Sequence, residues 1–226
     1  MKYEIIGNIV PAVECTLNSG ETMFTQSGGM IWQSDGIEMT TNTKGGGLKS
    51  IGRLLAGESI FMANYTAKMD GSTIAFGSTV SGKIVPINVS NMEMICQKGA
   101  FLCAENGVKL EITLTKRLGA GLFGGEGFVL QKISGSGMAF LEADGDVVEK
   151  NLAPGESIKV DTGNVVAFES SVKYDIETVK GLKNVFLGGE GLFLTRLTGP
   201  GRVILQTQNF NDFISKIAAM IPRNNS

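Results

Sequence analysis

Apolar and polar residues alternate over short stretches along most of the chain. Leu110, Ile112 and Leu114 alternate with Glu111, Thr113 and Thr115, the period-two pattern of a half-buried strand. Phe128 and Leu130 point one way, with Lys132 next in line, while Val129, Gln131 and Ile133 point the other. Gly, Asn, Asp and Ser bound such runs, with Asx-Gly pairs at Asp35-Gly36, Asp70-Gly71, Asn106-Gly107 and Asp144-Gly145. These pairs supply the positive-φ positions that tight hairpins require. The pattern predicts an all-β, antiparallel protein.

Two segments follow a helical period instead. Leu48, Ile51, Leu54 and Leu55 share one helical face after the run Gly45-Gly46-Gly47, predicting a short helix near 48–55. Phe210, Phe213, Ile214, Ile217 and Ile221 recur at three- and four-residue spacings. With Asn209 or Asn211 as cap and Pro222 as stop, they predict an amphipathic helix near 210–221. Both helices are expected to pack on β surfaces. The second would seal an open end of the β body or pack against another subunit.

The chain also resembles itself. Segments 56–78, 124–143 and 188–207 align through Gly57, Gly125 and Gly189, at spacings of 68 and then 64 residues. The string LNSGE at 17–21 matches LAPGE at 152–156, a signal the middle copy lacks at 91–93. Further on, Gly28-Gly29-Met30-Ile31-Trp32, Gly99-Ala100-Phe101-Leu102-Cys103 and Gly163-Asn164-Val165-Val166-Ala167 correspond. Three divergent β repeats, approximately 12–86, 87–151 and 152–210, are expected within a single domain spanning 1–226.

Composition removes several chemistries. There is no histidine, which excludes imidazole acid-base catalysis, His-based triads and every zinc site that uses imidazole. Cys15, Cys96 and Cys103 form no CxxC pair and read as small apolar core residues in a reducing compartment. Twenty basic residues balance 22 acidic ones, so there is no strong nucleic-acid signal. The start, MKYEIIGNIVPAVE, is broken by Glu4, Asn8, Pro11 and Glu14 and does not form a secretory core. No stretch approaches the ~20 apolar residues of a transmembrane segment. A cytoplasmic location is expected.

Two motifs carry a resemblance: GGGLKSIGRLLAGESIF at 45–61 and GGEGLFLTRLTGPGRVILQT at 188–207. The chain resembles the uncharacterised proteins grouped with the fungal "altered inheritance of mitochondria" protein, the mitochondrial biogenesis family, over essentially its whole length. The resemblance implies a pseudo-threefold arrangement of β-sheets, related in fold to the tryptophan RNA-binding attenuation protein. It implies no reaction and no catalytic residues. The mitochondrial address of the fungal relative is not carried over, because an Arg-rich amphipathic leader is missing.

Candidate sites reduce to structural readings. The GxGxxG string at 119–124 leads into a strand rather than opening a helix, so it reads as a linker. Lys49-Ser50 follows Leu48 where a phosphate-binding loop needs Gly. Glu58, Glu126 and Glu190 recur, with Glu21 and Glu156 in the preceding half-units. They read as turn carboxylates accepting local N–H groups, with a shared hard-cation site as the sharper alternative. Asn64, Lys132 and Arg196 correspond and read as a solvated face rather than a phosphate surface. Trp32, Phe61, Phe193 and the methionines read as core. No catalytic, cofactor-binding or metal-binding residue is assigned, and no cofactor is called for. The leading reading is a non-catalytic scaffold or interaction protein that self-associates as a homo-oligomer, with an unidentified protein partner or small ligand. The alternatives are a small-ligand or RNA-binding module by fold analogy, and then an enzyme working with carboxylates. A buried carboxylate pair in a cleft would favour the last.

Overall fold

The computed structural model describes residues 1–26, 28–42, 62–116, 128–178 and 193–221. The helix expected near 48–55, the strings at 47–50 and 119–124, Phe61, and the residues Gly57, Glu58, Gly125, Glu126, Gly189 and Glu190 lie outside the described residues.

Among the described residues, an opening strand β1 (Lys2–Ile6) precedes eighteen strands that fall into three sets of six. The first set is β2 (Ala12–Leu17), β3 (Thr22–Thr25), β4 (Met30–Gln33), β5 (Ile37–Asn42), β6 (Met62–Ala67) and β7 (Ser72–Gly77). The second is β8 (Gly82–Asn88), β9 (Met94–Gln97), β10 (Phe101–Glu105), β11 (Val108–Lys116), β12 (Phe128–Gly135) and β13 (Met138–Asp144). The third is β14 (Val147–Leu152), β15 (Ser157–Asp161), β16 (Val165–Glu169), β17 (Lys173–Thr178), β18 (Phe193–Thr198) and β19 (Gly201–Gln206). A helix, α1 (Phe210–Met220), follows.

All pairings are antiparallel, and they follow one scheme. In each set the sixth strand lies between the first and third. The fifth strand lies between the second and fourth. The second strand of one set then pairs with the third strand of the next, as β3 with β10 and β9 with β16. Four sheets result, in the orders β1-β2-β7-β4, β5-β6-β3-β10-β13-β8, β11-β12-β9-β16-β19-β14 and β15-β18-β17. The third strand carries a register slip each time, between Met30 and Trp32, Phe101 and Cys103, and Val165 and Ala167. Such a bulge bends its strand and adds twist.

The turn expectation needs correction. Asp35-Gly36, Asp70-Gly71 and Asn106-Gly107 are turns and Gly145 is a bend after the last residue of β13, but each connects strands of two different sheets. Only Gly71 (φ 75°) and Gly145 (φ 71°) use the positive-φ region. A sharp reversal needs those residue types whether or not the flanking strands pair with each other, so the local signal does not name the partner.

Three apolar clusters form the core. One joins Val13, Leu17, Met23, Tyr65 and Phe76 of the first set with Leu102, Cys103 and Phe140 of the second. The next joins Ile87, Met94 and Leu141 with Phe24 of the first set and with Val166 and Ile204 of the third. The last joins Phe168, Leu197 and Val203 with Ile95, Phe128 and Leu130 of the second set. Each set therefore finishes its core with side chains from a neighbour.

Candidate functional site

Glu142 and Asp144 stand at i and i+2 on β13 and so face the same side of the strand. With Thr79, Gln97, Gly163, Gln206 and Phe210 they line a cleft of about 200 Å3. The backbone N–H of Thr79 donates to Glu142 Oε2 at 2.7 Å, and its hydroxyl donates to Oε1 at 3.1 Å. The Phe210 N–H donates to Asp144 Oδ2 at 3.1 Å. Gln206 accepts the Asp144 N–H at 2.9 Å and donates to the Gly163 carbonyl at 2.9 Å. Burial pushes the Glu142 carboxyl above its ordinary value, the two Thr79 bonds oppose this, and the charge of Asp144 adds to it. Asp144 is likewise raised by burial, against its bond from Phe210.

This is a carboxylate pair in a cleft, and sequence reasoning missed it. Its signal was two acidic residues at alternate positions of an otherwise apolar strand. The strand registers set Glu142 level with Gly77 and Gln206 in the other two sets, so the pair occurs once. Its oxygens fasten the β7–β8 connection and the start of α1 onto β13. Among the described residues, no cluster of acidic or cysteine side chains is arranged to hold a metal ion.

The other singled-out residues fall into three groups. The first is the turn carboxylates. Glu21 Oε2 accepts the Asn18 N–H at 2.7 Å, and Glu156 Oε2 accepts the Ala153 N–H at 2.8 Å. Both serve the turn three residues back, as the blander reading expected. The second is the cationic positions. Asn64, Lys132 and Arg196 sit opposite Phe24, Ile95 and Lys159, at matching places on the fifth strands. Lys132 lies 3.4 Å from Glu93 and 3.6 Å from Glu111. Arg196 and Lys159 each approach Glu177 to 2.7 Å, and these bonds hold its carboxyl below the usual range, Lys159 first. Carboxylates thus already occupy the cations that a phosphate surface would need. The third is the thiols. Cys15, Cys96 and Cys103 are buried, and burial pushes Cys15 and Cys96 up to about 12.

Two core expectations fail. Trp32 is 43% exposed on β4, held by its Nε1–H donating to Glu14 at 2.9 Å. Its strand lies at a sheet edge, which the alternation pattern does not encode. Met39, Met69, Met92 and Met220 are exposed too, whereas Met23 and Met94 are fully buried and Phe193 is partly buried against the third cluster. On α1, Phe213, Ile214 and Ile217 remain nearly half exposed, so the described helix does not seal the β body. Its first turn is fastened by the Phe210 N–H donating to Asp144. No described helix is long and apolar enough to cross a membrane.

Known proteins share this fold and sequence. An uncharacterised protein of Streptococcus pyogenes serotype M6 is 27% identical over 220 residues, covering 94% of this chain and 87% of that protein. The crystal structure of a Streptococcus pyogenes protein matches with a TM-score of 0.80 at 23% identity, over 97% of this chain and 99% of that one. The model of the family described as mitochondrial biogenesis AIM24 matches residues 3–208. The chain belongs to the mitochondrial biogenesis AIM24 family.

Proposed function

We propose that the protein is a non-catalytic scaffold that works by binding other proteins and copies of itself. The observation that carries this reading is where its exposed apolar side chains lie. Ile31 and Trp32 sit on edge strand β4, and Phe213, Ile214, Ile217 and Met220 sit on α1. Other exposed apolar residues, such as Ile9, Val10 and Met69, are spread over the chain, but neighbouring ones on a single strand or helix mark protein interaction sites more often than scattered ones do. The recurring strand scheme supports the view that three repeated units are stacked to present these surfaces. The Glu142–Asp144 cleft is a place among the described residues where carboxylate catalysis would be sought. The hydrogen bonds there favour a fastening role, since both oxygens of Glu142 are committed to Thr79. Native mass spectrometry of protein freshly purified from cells tests the proposal. Multiples of the chain mass, or a retained protein partner, are expected. A purely monomeric protein carrying a stoichiometric small molecule would overturn it.

A further inference from the structure

The junction between successive strand sets is made twice among the described residues, and the first and third sets each display one unused half of it. The two internal junctions are β3 with β10 and β9 with β16, a second strand against the third strand of the next set. The third set's own second strand, β15, is bonded to β18 only and ends its sheet. The first set's own third strand, β4, is bonded to β7 only and also ends its sheet. Among the described residues, neither edge pairs with a further strand.

The side chains at these edges follow the same division. In the internal copies, the bulge residue and its successor are sealed by the junction. Leu102 is 3% and Cys103 0% exposed, and Val166 is 1% and Ala167 0% exposed. Their counterparts on β4, Ile31 and Trp32, are 49% and 43% exposed. The counterparts are fixed by the shared bulge and by a shared hydrogen bond. Glu105 accepts the Met138 N–H at 2.6 Å and Glu169 accepts the Arg202 N–H at 3.1 Å, where Ser34 accepts the Thr73 N–H at 3.0 Å. An apolar open edge is a template for another strand.

We infer that β15 of one copy adds to β4 of a second copy, head to tail, repeating the internal junction between molecules. The inference rests on the self-association reading and names the surface that performs it. The internal registers fix the alignment. Phe24 faces Ala104 and Ile95 faces Phe168, and Cys96 faces Ala167. By correspondence, Lys159 faces Gln33 of the second copy, Val160 faces Trp32, and Ile158 faces Ser34. Trp32 then moves from half-exposed edge to covered interior, beside the β-branched Val160. Because the two edges differ, the contact is heterologous, and assembly runs to a closed ring or an open filament.

Single cysteine substitutions make the test, since the native thiols are buried. Directly opposed residues of an antiparallel pair lie within disulfide reach. Q33C and K159C chains of distinguishable mass are oxidised separately and mixed, beside sedimentation of the unsubstituted protein. The expected result is a disulfide formed only in the mixture, joining one chain of each kind. It is accompanied by a shift of fluorescence from the single tryptophan to shorter wavelength as protein concentration rises. An assembled protein with no disulfide between the two introduced thiols, or with Q33C bonded to itself, overturns the inference and leaves self-association standing. A protein that stays monomeric at all concentrations and forms no mixed disulfide overturns both.

Discussion

Gln131 is fully buried on β12, and neither atom of its amide has a hydrogen-bond partner among the described residues. A buried polar group left unpaired costs about 1–3 kcal/mol, so Gln131→Leu is expected to raise stability by about 1 kcal/mol in urea unfolding. A loss of stability would show that the amide has a partner. Glu142 makes a different test. Burial raises its folded-state value, so its contribution to stability is present below the ordinary carboxylate range. That contribution is lost as pH rises through the folded value. The substitution Glu142→Gln keeps an acceptor for the Thr79 N–H and removes the charge. It is expected to gain stability relative to the unsubstituted chain between about pH 4 and pH 7, read from melting temperatures across that range. The reverse slope would mean that the ionised form is the one the fold favours. The thiols were legible from sequence as core residues, because three unpaired cysteines in apolar runs have few other uses. The carboxylate cleft was not, because its depth comes from Thr79, Gln206 and Phe210, which are distant in the chain.

Helix α1 is an element whose existence was readable and whose packing was not. Apolar spacing fixed its face, and its observed span agrees with the expected one to within a residue. Whether that face would be covered depended on what the β strands left beside it. A helix that sealed the body would make truncation after Thr207 costly. With Phe213, Ile214 and Ile217 nearly half exposed, a truncation after Asn211, which keeps the Phe210 bond to Asp144, is instead expected to cost less than about 1 kcal/mol, since exposed apolar residues contribute little burial. A drop of several kcal/mol in chemical denaturation would show that the face is covered after all. The strand-ending Asx-Gly turns teach the same lesson from the other side. Their residue types reported that the chain reverses, while the sheets that receive each strand are set by bonds to strands far along the chain, as in β3 with β10.

At the scale of the molecule, the sets are interlocked through their cores. Phe140 belongs to the second set, is fully buried, and packs in the first set's cluster. Phe140→Ala is expected to cost about 3–5 kcal/mol. A fragment ending at residue 80 lacks Leu102, Cys103 and Phe140 and is expected to stay unfolded, without near-ultraviolet circular dichroism. A fragment that folds and unfolds cooperatively would show that one set closes its own core.

The sequence by itself determined that the protein is mostly β with a terminal amphipathic helix, and that imidazole chemistry is excluded. It did so because side-chain alternation, turn residues and composition are local properties of the chain. Only the tertiary structure decided which edges are left open, why Trp32 stands in solvent while its counterparts Cys103 and Ala167 do not, and where Glu142 and Asp144 meet a cleft. Those outcomes depend on strand partners far apart in sequence. Two segments of like pattern, such as β4 and β10, differ in burial only through what the rest of the chain places beside them.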